Sequence, residues 1–374
     1  MRRLCVSVAL VVPWFATWVD AAEVQNPSPA PFQTTVVTDF DEPWAMTFLP
    51  DGRLLVTEKK GALKLYEIGT QAQSISGVPK VAYGGQGGLG DIVLHPRFQS
   101  NGIIYLSYAE GGKHGTRGAA VARAKLILDE RGGGALQNVA VIWRQVPKAT
   151  RVGHYGHRMA FAPDGHLFIT SGERQLEDPA QVMKSNLGKI VRLNDDGSVP
   201  RNNPFASKGG VTAQIWSLGH RNPLGIGFDD SGRLWNTEMG PKGGDELNLV
   251  QRGANYGWPI VSDGDDYDGH PIPDHDTQPQ FKAPVLTWSP VISPAGFIIY
   301  SGDQFSDWRG DGLIPALSGR GLVRVKFDGE RAQEAERYDL GARIREVEEG
   351  PDGAIWVLED GLRGRLLKLT PRTS

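Results

Sequence analysis

Residues 158–173, RMAFAPDGHLFITSGE, set an apolar run against a Pro-Asp-Gly turn, followed by an alternating run that closes on a glutamate. Aspartate and glycine tolerate the positive φ of a tight reversal, and Phe, Leu and Ile favour extended backbone, so the stretch reads as a β-hairpin. The plan recurs as WAMTFLPDGRLLVTE, DIVLHPRFQSNGIIYLSYAE, LGIGFDDSGRLWNTE, GFIIYSGDQFSDWRGDGLIPALS and VEEGPDGAIWVLED. With the opening stretch these make six copies, beginning near residues 44, 91, 158, 224, 296 and 346. A spacing of roughly 45 to 70 residues is that of propeller blades of about four strands with insertions. Stacked helices would need an apolar period of 3.6, and these runs alternate by two. A parallel α/β sheet would need helical connectors, and only DPAQVMKSNLG (178–188) reads as helical. The expected fold is therefore all-β, a six-bladed β-propeller formed as one domain by residues 34–372.

Bulk composition agrees. The 48 glycines and 25 prolines suit a turn-dense chain, and 40 % hydrophobic with 22 % charged residues is ordinary for a folded globular protein. A net charge of −3 without a long Lys/Arg run argues against nucleic acid as a partner. Arg2 and Arg3 precede the apolar stretch LCVSVALVVPWFATW and the small-residue site VDAAE, the pattern of a cleaved secretory signal peptide over residues 1–22. That run is short for a membrane span and contains Pro13, so no stable membrane insertion of the mature chain is expected. Residues 23–33 read as a proline-rich lead-in. The single cysteine, Cys5, falls in the leader, which leaves neither a disulfide nor a thiol nucleophile in the mature chain.

Aligned on the residue before each turn (Phe48, Leu94, Phe161, Phe228, Tyr300, Glu349), several polar residues share one register. Gln86 lies eight residues upstream of its anchor, His154 and Arg221 seven, Arg343 six and Arg345 four. If each anchored strand is the innermost of its blade, these side chains converge on one mouth of the central channel, where loops of successive repeats build ligand sites. His154 is then a candidate catalytic group, against the plainer reading of a structural histidine. His157 could form a metal pair with it, but two histidines three apart with no further ligand nearby are a weak zinc signal. Arg221, Arg343 and Arg345 favour an anionic ligand held as a carboxylate clamp. Asn222, before a proline, could simply cap its loop. The stretch NTEMGPKGGDELNLVQRGANYGWP suggests a loop with exposed carbonyls and carboxylates, suited to Ca²⁺ or to a solvated turn. SDGDDYDGHPIPDHD fails the EF-hand template and reads as a surface insertion, at about residues 262–280.

Taken together, GQGGLGDIVLHP, GHYGHRMAFAPDG, GHRNPLGIGF, EMGPKGGDELN with NYGWP, and RIREV resemble the soluble quinoprotein glucose/sorbosone dehydrogenase family, above all its periplasmic aldose sugar dehydrogenase branch. The resemblance spans nearly all of the mature chain, in order. It implies pyrroloquinoline quinone (PQQ) and Ca²⁺ at the mouth, and oxidation of the anomeric carbon of sugars to lactones. By motif position His154 is the general base and Glu173 the carboxylate that orients it. Gln86, Arg221, Asn222, Arg343 and Arg345 match PQQ-binding positions; His154 is expected to contact the cofactor too, and Arg221 to be a catalytic residue alongside His154 and Glu173. Arg158 would anchor its strand or assist at the cofactor. Gly240 and Pro241 match carbonyl ligands of the Ca²⁺ beside the quinone, and Glu246 and Tyr256 a second, structural Ca²⁺ site. The chain departs from the pattern where the family commonly has Lys, since Ser318 stands there with Arg320 nearby, and at Gly153, where some members carry a polar residue. The resemblance further implies a sugar substrate, an electron acceptor it does not identify and a periplasmic location, while a monomer or homodimer remains open. A calcium-dependent propeller hydrolase or lactonase, and a glycan- or protein-binding propeller, are the competing readings.

Overall fold

The protein is described by a computed structural model over residues 30–129 and 132–372. The expected leader, Cys5 and most of the proline-rich lead-in lie outside these residues. Each of the six sequence copies forms the hairpin expected of it. In the third, Gly156–Phe161 pairs antiparallel with Leu167–Ser171. The turn between them is closed by Ala162 N–H to His166 O (2.9 Å) and Gly165 N–H to Ala162 O (2.9 Å), with Gly165 at φ +86° and the Asp164 carboxylate accepting the His166 amide. The same bonds, with Asp51 and Asp352 in place of Asp164, close the turns of the first and sixth copies.

Further strands complete each hairpin to a four-stranded antiparallel unit, giving an all-β chain. The inner strands are Pro43–Phe48, Leu89–Leu94, Gly156–Phe161, Pro223–Phe228, Ile298–Ile299 and Ile344–Glu349, and each neighbours the next until the sixth returns to the first. Units one and two merge at their rims, where Gln73–Ser76 runs parallel to Gly134–Arg144. The sixth unit takes its outermost strand from the other end of the chain: Phe32–Phe40 pairs antiparallel with Gly364–Pro371.

This ring explains the burial. The second strands Leu54–Glu58, Leu167–Ser171, Leu234–Glu238, Gly312–Ala316 and Ile355–Glu359 are buried at every position, because both faces of each sheet pack on neighbouring sheets. The core is correspondingly divided into clusters between consecutive units, from Leu55, Leu65 and Leu106 between the first two to Phe40, Met46 and Trp356 between the sixth and the first. The segment expected to be helical forms only a short 3₁₀ turn, Asp178–Gln181. The turn reflects tertiary demand: buried Lys189 donates to the Pro179 and Ala180 carbonyls (2.7 and 2.8 Å), which fixes those peptides outside a helix ladder. Among the described residues no helix is long and apolar enough to cross a membrane.

Candidate active site

The segments that feed the inner strands meet at one end of the ring around two adjoining cavities. One, of about 380 Å³, is lined by Gln86, Asn222, Arg343 and Arg345 together with Trp44, Lys59 and Asp360. The other, of about 790 Å³, is lined by Gln86, His154, Arg221, Gly240 and Pro241 together with Asp245, Asp265 and Tyr267. Gln86, Met239 and Ser293 line both. The shared register of the sequence thus becomes a shared place in space.

His154 is held in a left-handed backbone conformation (φ +49°) by bonds on both sides of its peptide. Its N–H donates to the Gln86 side-chain oxygen (2.7 Å), and its carbonyl accepts the Arg174 amide (3.1 Å). Gly172 has to be glycine here, because a Cβ at that position would overlap the His154 carbonyl. Nδ1 of His154 bonds a carboxylate oxygen of Glu173, whose other oxygen accepts the Leu176 and Glu177 amides. Burial pulls the imidazole below its usual value, and the Arg221 charge adds to that against the opposing pull of Glu173. Burial acts to raise Glu173, but the bonds from His154 and the two amides outweigh it and hold the carboxyl below its ordinary range. Both directions favour a neutral imidazole on a carboxylate, with the proton assigned to Nδ1 because the Glu173 oxygen can only accept. That leaves Nε2 bare, without a partner among the described residues, on the wall of the larger cavity. A neutral imidazole held in this way can accept a proton at Nε2.

The cationic groups bring donors that the protein leaves unused. Arg221 donates through Nη1 to Met239 O (3.1 Å) and through Nη2 to the Tyr267 hydroxyl (3.2 Å), but its buried Nε has no partner. Asn222 accepts the Gly156 amide on Oδ1 (3.2 Å), and its buried Nδ2 is unpaired. Arg343 and Arg345 share one carboxylate, Asp360, at 2.8–2.9 Å. Buried donors without acceptors are costly in a native fold. Together with the arginines, these orphans fit a polycarboxylate ligand.

In the larger cavity Asp245 ties down the loop that carries Gly240 and Pro241, accepting the Gly240 amide (2.9 Å) and the Ser293 amide (2.6 Å). Burial raises Asp245 to about 6. The Gly240 and Pro241 carbonyls accept no hydrogen bond from the described residues. Hard oxygen donors beside a carboxylate fit a cation such as Ca²⁺.

The chain matches the glucose/sorbosone dehydrogenase family over residues 40–368. It belongs to that family. It is 39 % identical to the aldose sugar dehydrogenase of Escherichia coli over 353 residues, which cover 92 % of this chain and 94 % of that protein. The apo crystal structure of the E. coli enzyme superposes with a TM-score of 0.85 at 38 % identity, covering 91 % of this chain and all of that one. The PQQ-bound aldose sugar dehydrogenase of Streptomyces coelicolor superposes with a TM-score of 0.74 at 27 % identity, over 92 % of this chain and 99 % of that one.

Within this glucose/sorbosone dehydrogenase frame several expectations change. Arg158 does not line the mouth cavities: its guanidinium is spent inside the ring on Glu346, Asp91 (3.3 Å) and the Leu224 and Ala295 carbonyls (2.8 and 2.5 Å). His157 packs its buried ring on Tyr155, with centroids 5.2 Å apart, and edge-on to Trp44, and burial lowers it to about 3. Glu246 and Tyr256 sit behind the mouth, beside Glu238. The Tyr256 hydroxyl is committed to Leu249 O and Gln251 N–H, so a cation there would meet the carboxylates and not that hydroxyl. Burial, with the charge of Glu238, pushes Glu246 well above the usual carboxylate range. Ser318 bonds Ser293 Oγ (2.8 Å) and Arg320 bonds the Gly341 carbonyl, and neither residue lines the two cavities. The insertion at 262–280, read as surface loop, instead walls the mouth: Gly264–Asp265 pairs with Lys242–Gly243, which carries Tyr267 and Asp265 to the cavity.

Sequence reading missed Asp360, yet the repeat contained the signal. Most copies end on an acid, and in the third, fourth and sixth that acid (Glu173, Glu238, Asp360) meets the polar residues of the mouth. Lys59 and Tyr267 carried no comparable signal.

Proposed function

We propose that this protein is a periplasmic PQQ- and calcium-dependent dehydrogenase that oxidises aldose sugars at C1 to lactones. The observation that carries the reading is the bare Nε2 of His154, fixed by Glu173 and set beside cavities lined with arginines and unpaired donors. The names of the related enzymes support the substrate class and the quinone. The six units are read as the blades of a six-bladed β-propeller, with the leader as the export signal.

Bound PQQ would supply a two-electron acceptor for the C1 hydride, and bound Ca²⁺ a Lewis acid. The residues of the chain do the rest. His154 Nε2 takes the proton of the C1 hydroxyl as the hydride leaves, and Glu173 stabilises the imidazolium that results. Arg221, Asn222, Arg343 and Arg345 hold carboxylates of the cofactor, and Gln86 both lines the site and fixes the His154 backbone. Gly240 and Pro241 offer carbonyls to Ca²⁺, with Asp245 keeping their loop in place, while Glu246 contributes to a second calcium site behind it. The ring closes within one chain, and electrons leave to an external acceptor.

The test is dye-linked oxidation of aldoses by the purified mature protein. Activity that requires both PQQ and Ca²⁺ and is lost in His154→Ala supports the proposal. Turnover without PQQ, or none on any aldose, refutes it.

A further inference from the structure

The arginine-lined cavity holds a lysine that makes no ion pair among the described residues, although Glu42 and Asp360 also line that cavity. Lys59 ends the hairpin of the first unit, one residue after the buried strand Leu54–Glu58, and its side chain lines the 380 Å³ cavity with Arg343, Arg345 and Asn222. Its backbone is locked on both sides: the amide donates to Glu42 O (2.9 Å), and the carbonyl accepts the Leu89 amide (2.9 Å). Its ammonium makes no hydrogen bond or ion pair among the described residues, and it lies over the face of Tyr83, 5.7 Å from the ring centroid.

The neighbouring charges explain why. Asp360 is taken by two arginines, which leaves that group one positive charge in excess. Glu42 lies within 3.8 Å of Lys60 Nζ and accepts the Tyr83 hydroxyl (2.7 Å). Partial burial holds the Lys59 ammonium below its ordinary value, Glu42 opposing this and Arg345 adding to it. A half-buried cation beside two arginines that share one carboxylate is an arrangement completed by an anion from outside the chain.

Building on the PQQ reading, we propose that Lys59 is a cofactor-binding residue of this chain, supplying to a PQQ carboxylate the lysine charge that Ser318 does not provide. The two positions lie in different units, so the charge reaches the cavity from a different wall. Ser318 meanwhile bonds Ser293 Oγ and the Val291 carbonyl and brings no charge.

Equilibrium dialysis of PQQ against the mature protein tests this, with Lys59→Met, Lys59→Arg and Lys60→Met alongside the wild type. Lys60 is the control, since it is exposed and pairs with Asp41 (2.8 Å). Loss of one charge-assisted contact should weaken PQQ binding by roughly ten- to a hundredfold in Lys59→Met and flatten its salt dependence, with Lys59→Arg close to wild type and Lys60→Met unchanged. Without cofactor, Lys59→Met should melt no lower than wild type, because it removes an uncompensated charge. Wild-type affinity in Lys59→Met overturns the proposal and leaves the PQQ reading intact. Weak binding accompanied by a lowered melting temperature overturns it in favour of a structural lysine. Failure of the wild type to bind PQQ overturns both.

Discussion

Replacing Glu173 by glutamine keeps the size of the side chain and removes its charge, which isolates the part that carboxylate plays. In the native protein its two oxygens only accept, one from His154 Nδ1 and the other from the Leu176 and Glu177 amides. A glutamine can keep the amide contacts with its oxygen only by turning its NH₂ toward Nδ1. The amide then donates to Nδ1, the ring proton moves to Nε2, and the base is lost to the wrong tautomer. An equivalent change in a Ser-His-Asp triad lowers turnover by about 10⁴. Here turnover with PQQ and Ca²⁺ bound should fall by roughly 10² to 10⁴, the lower end applying if the ring can turn over. The pH profile adds a signature. His154 is already below its usual value, so the wild-type rate should rise with pH along a limb below about 6.5 and then level off. Glu173 is the main influence raising that value, so the limb should move to still lower pH in Glu173→Gln as the plateau drops. Steady-state assays across pH 4.5–8 read both effects. Turnover within about threefold of wild type, with an unmoved limb, would refute the assignment of Glu173 as the orienting carboxylate.

Gly172→Ala should push the His154 carbonyl and lower turnover at least about tenfold while the protein remains folded by circular dichroism, since the added Cβ overlaps that carbonyl. Arg158→Met strands Glu346 and Asp91 inside the ring and should cost about 3–5 kcal/mol in urea unfolding, with PQQ affinity little changed. Phe32→Ala empties a site beside Trp308 and Tyr338, whose centroids lie 6.2 and 5.2 Å away. It should cost about 3–5 kcal/mol by weakening closure of the ring, and unfolding at wild-type denaturant would count against that role for the N-terminal strand.

The hairpins were legible because their signal is local: Pro-Asp-Gly turns and period-two runs lie within about fifteen residues. The mouth was legible for a related reason, since a repeat turns a sequence register into a common end of the ring. Arg158 was not, because its partners Asp91 and Glu346 come from units two and six and only closure brings them to it. The 178–188 segment misled through helix-compatible composition, which Lys189 overrides by holding its carbonyls. The insertion at 262–280 has no counterpart in the other copies. Its place over the mouth comes from the short ladder between Lys242–Gly243 and Gly264–Asp265, which leaves no hydrophobic pattern to read.

The most direct test of the account is anaerobic stopped-flow mixing of the PQQ- and Ca²⁺-loaded protein with an aldose carrying hydrogen or deuterium at C1. The account predicts rapid bleaching of the quinone absorbance, slowed severalfold by deuterium and abolished in His154→Ala. Bleaching at an unchanged rate in His154→Ala would contradict it, as would a protein that binds PQQ and sugar without any spectral change.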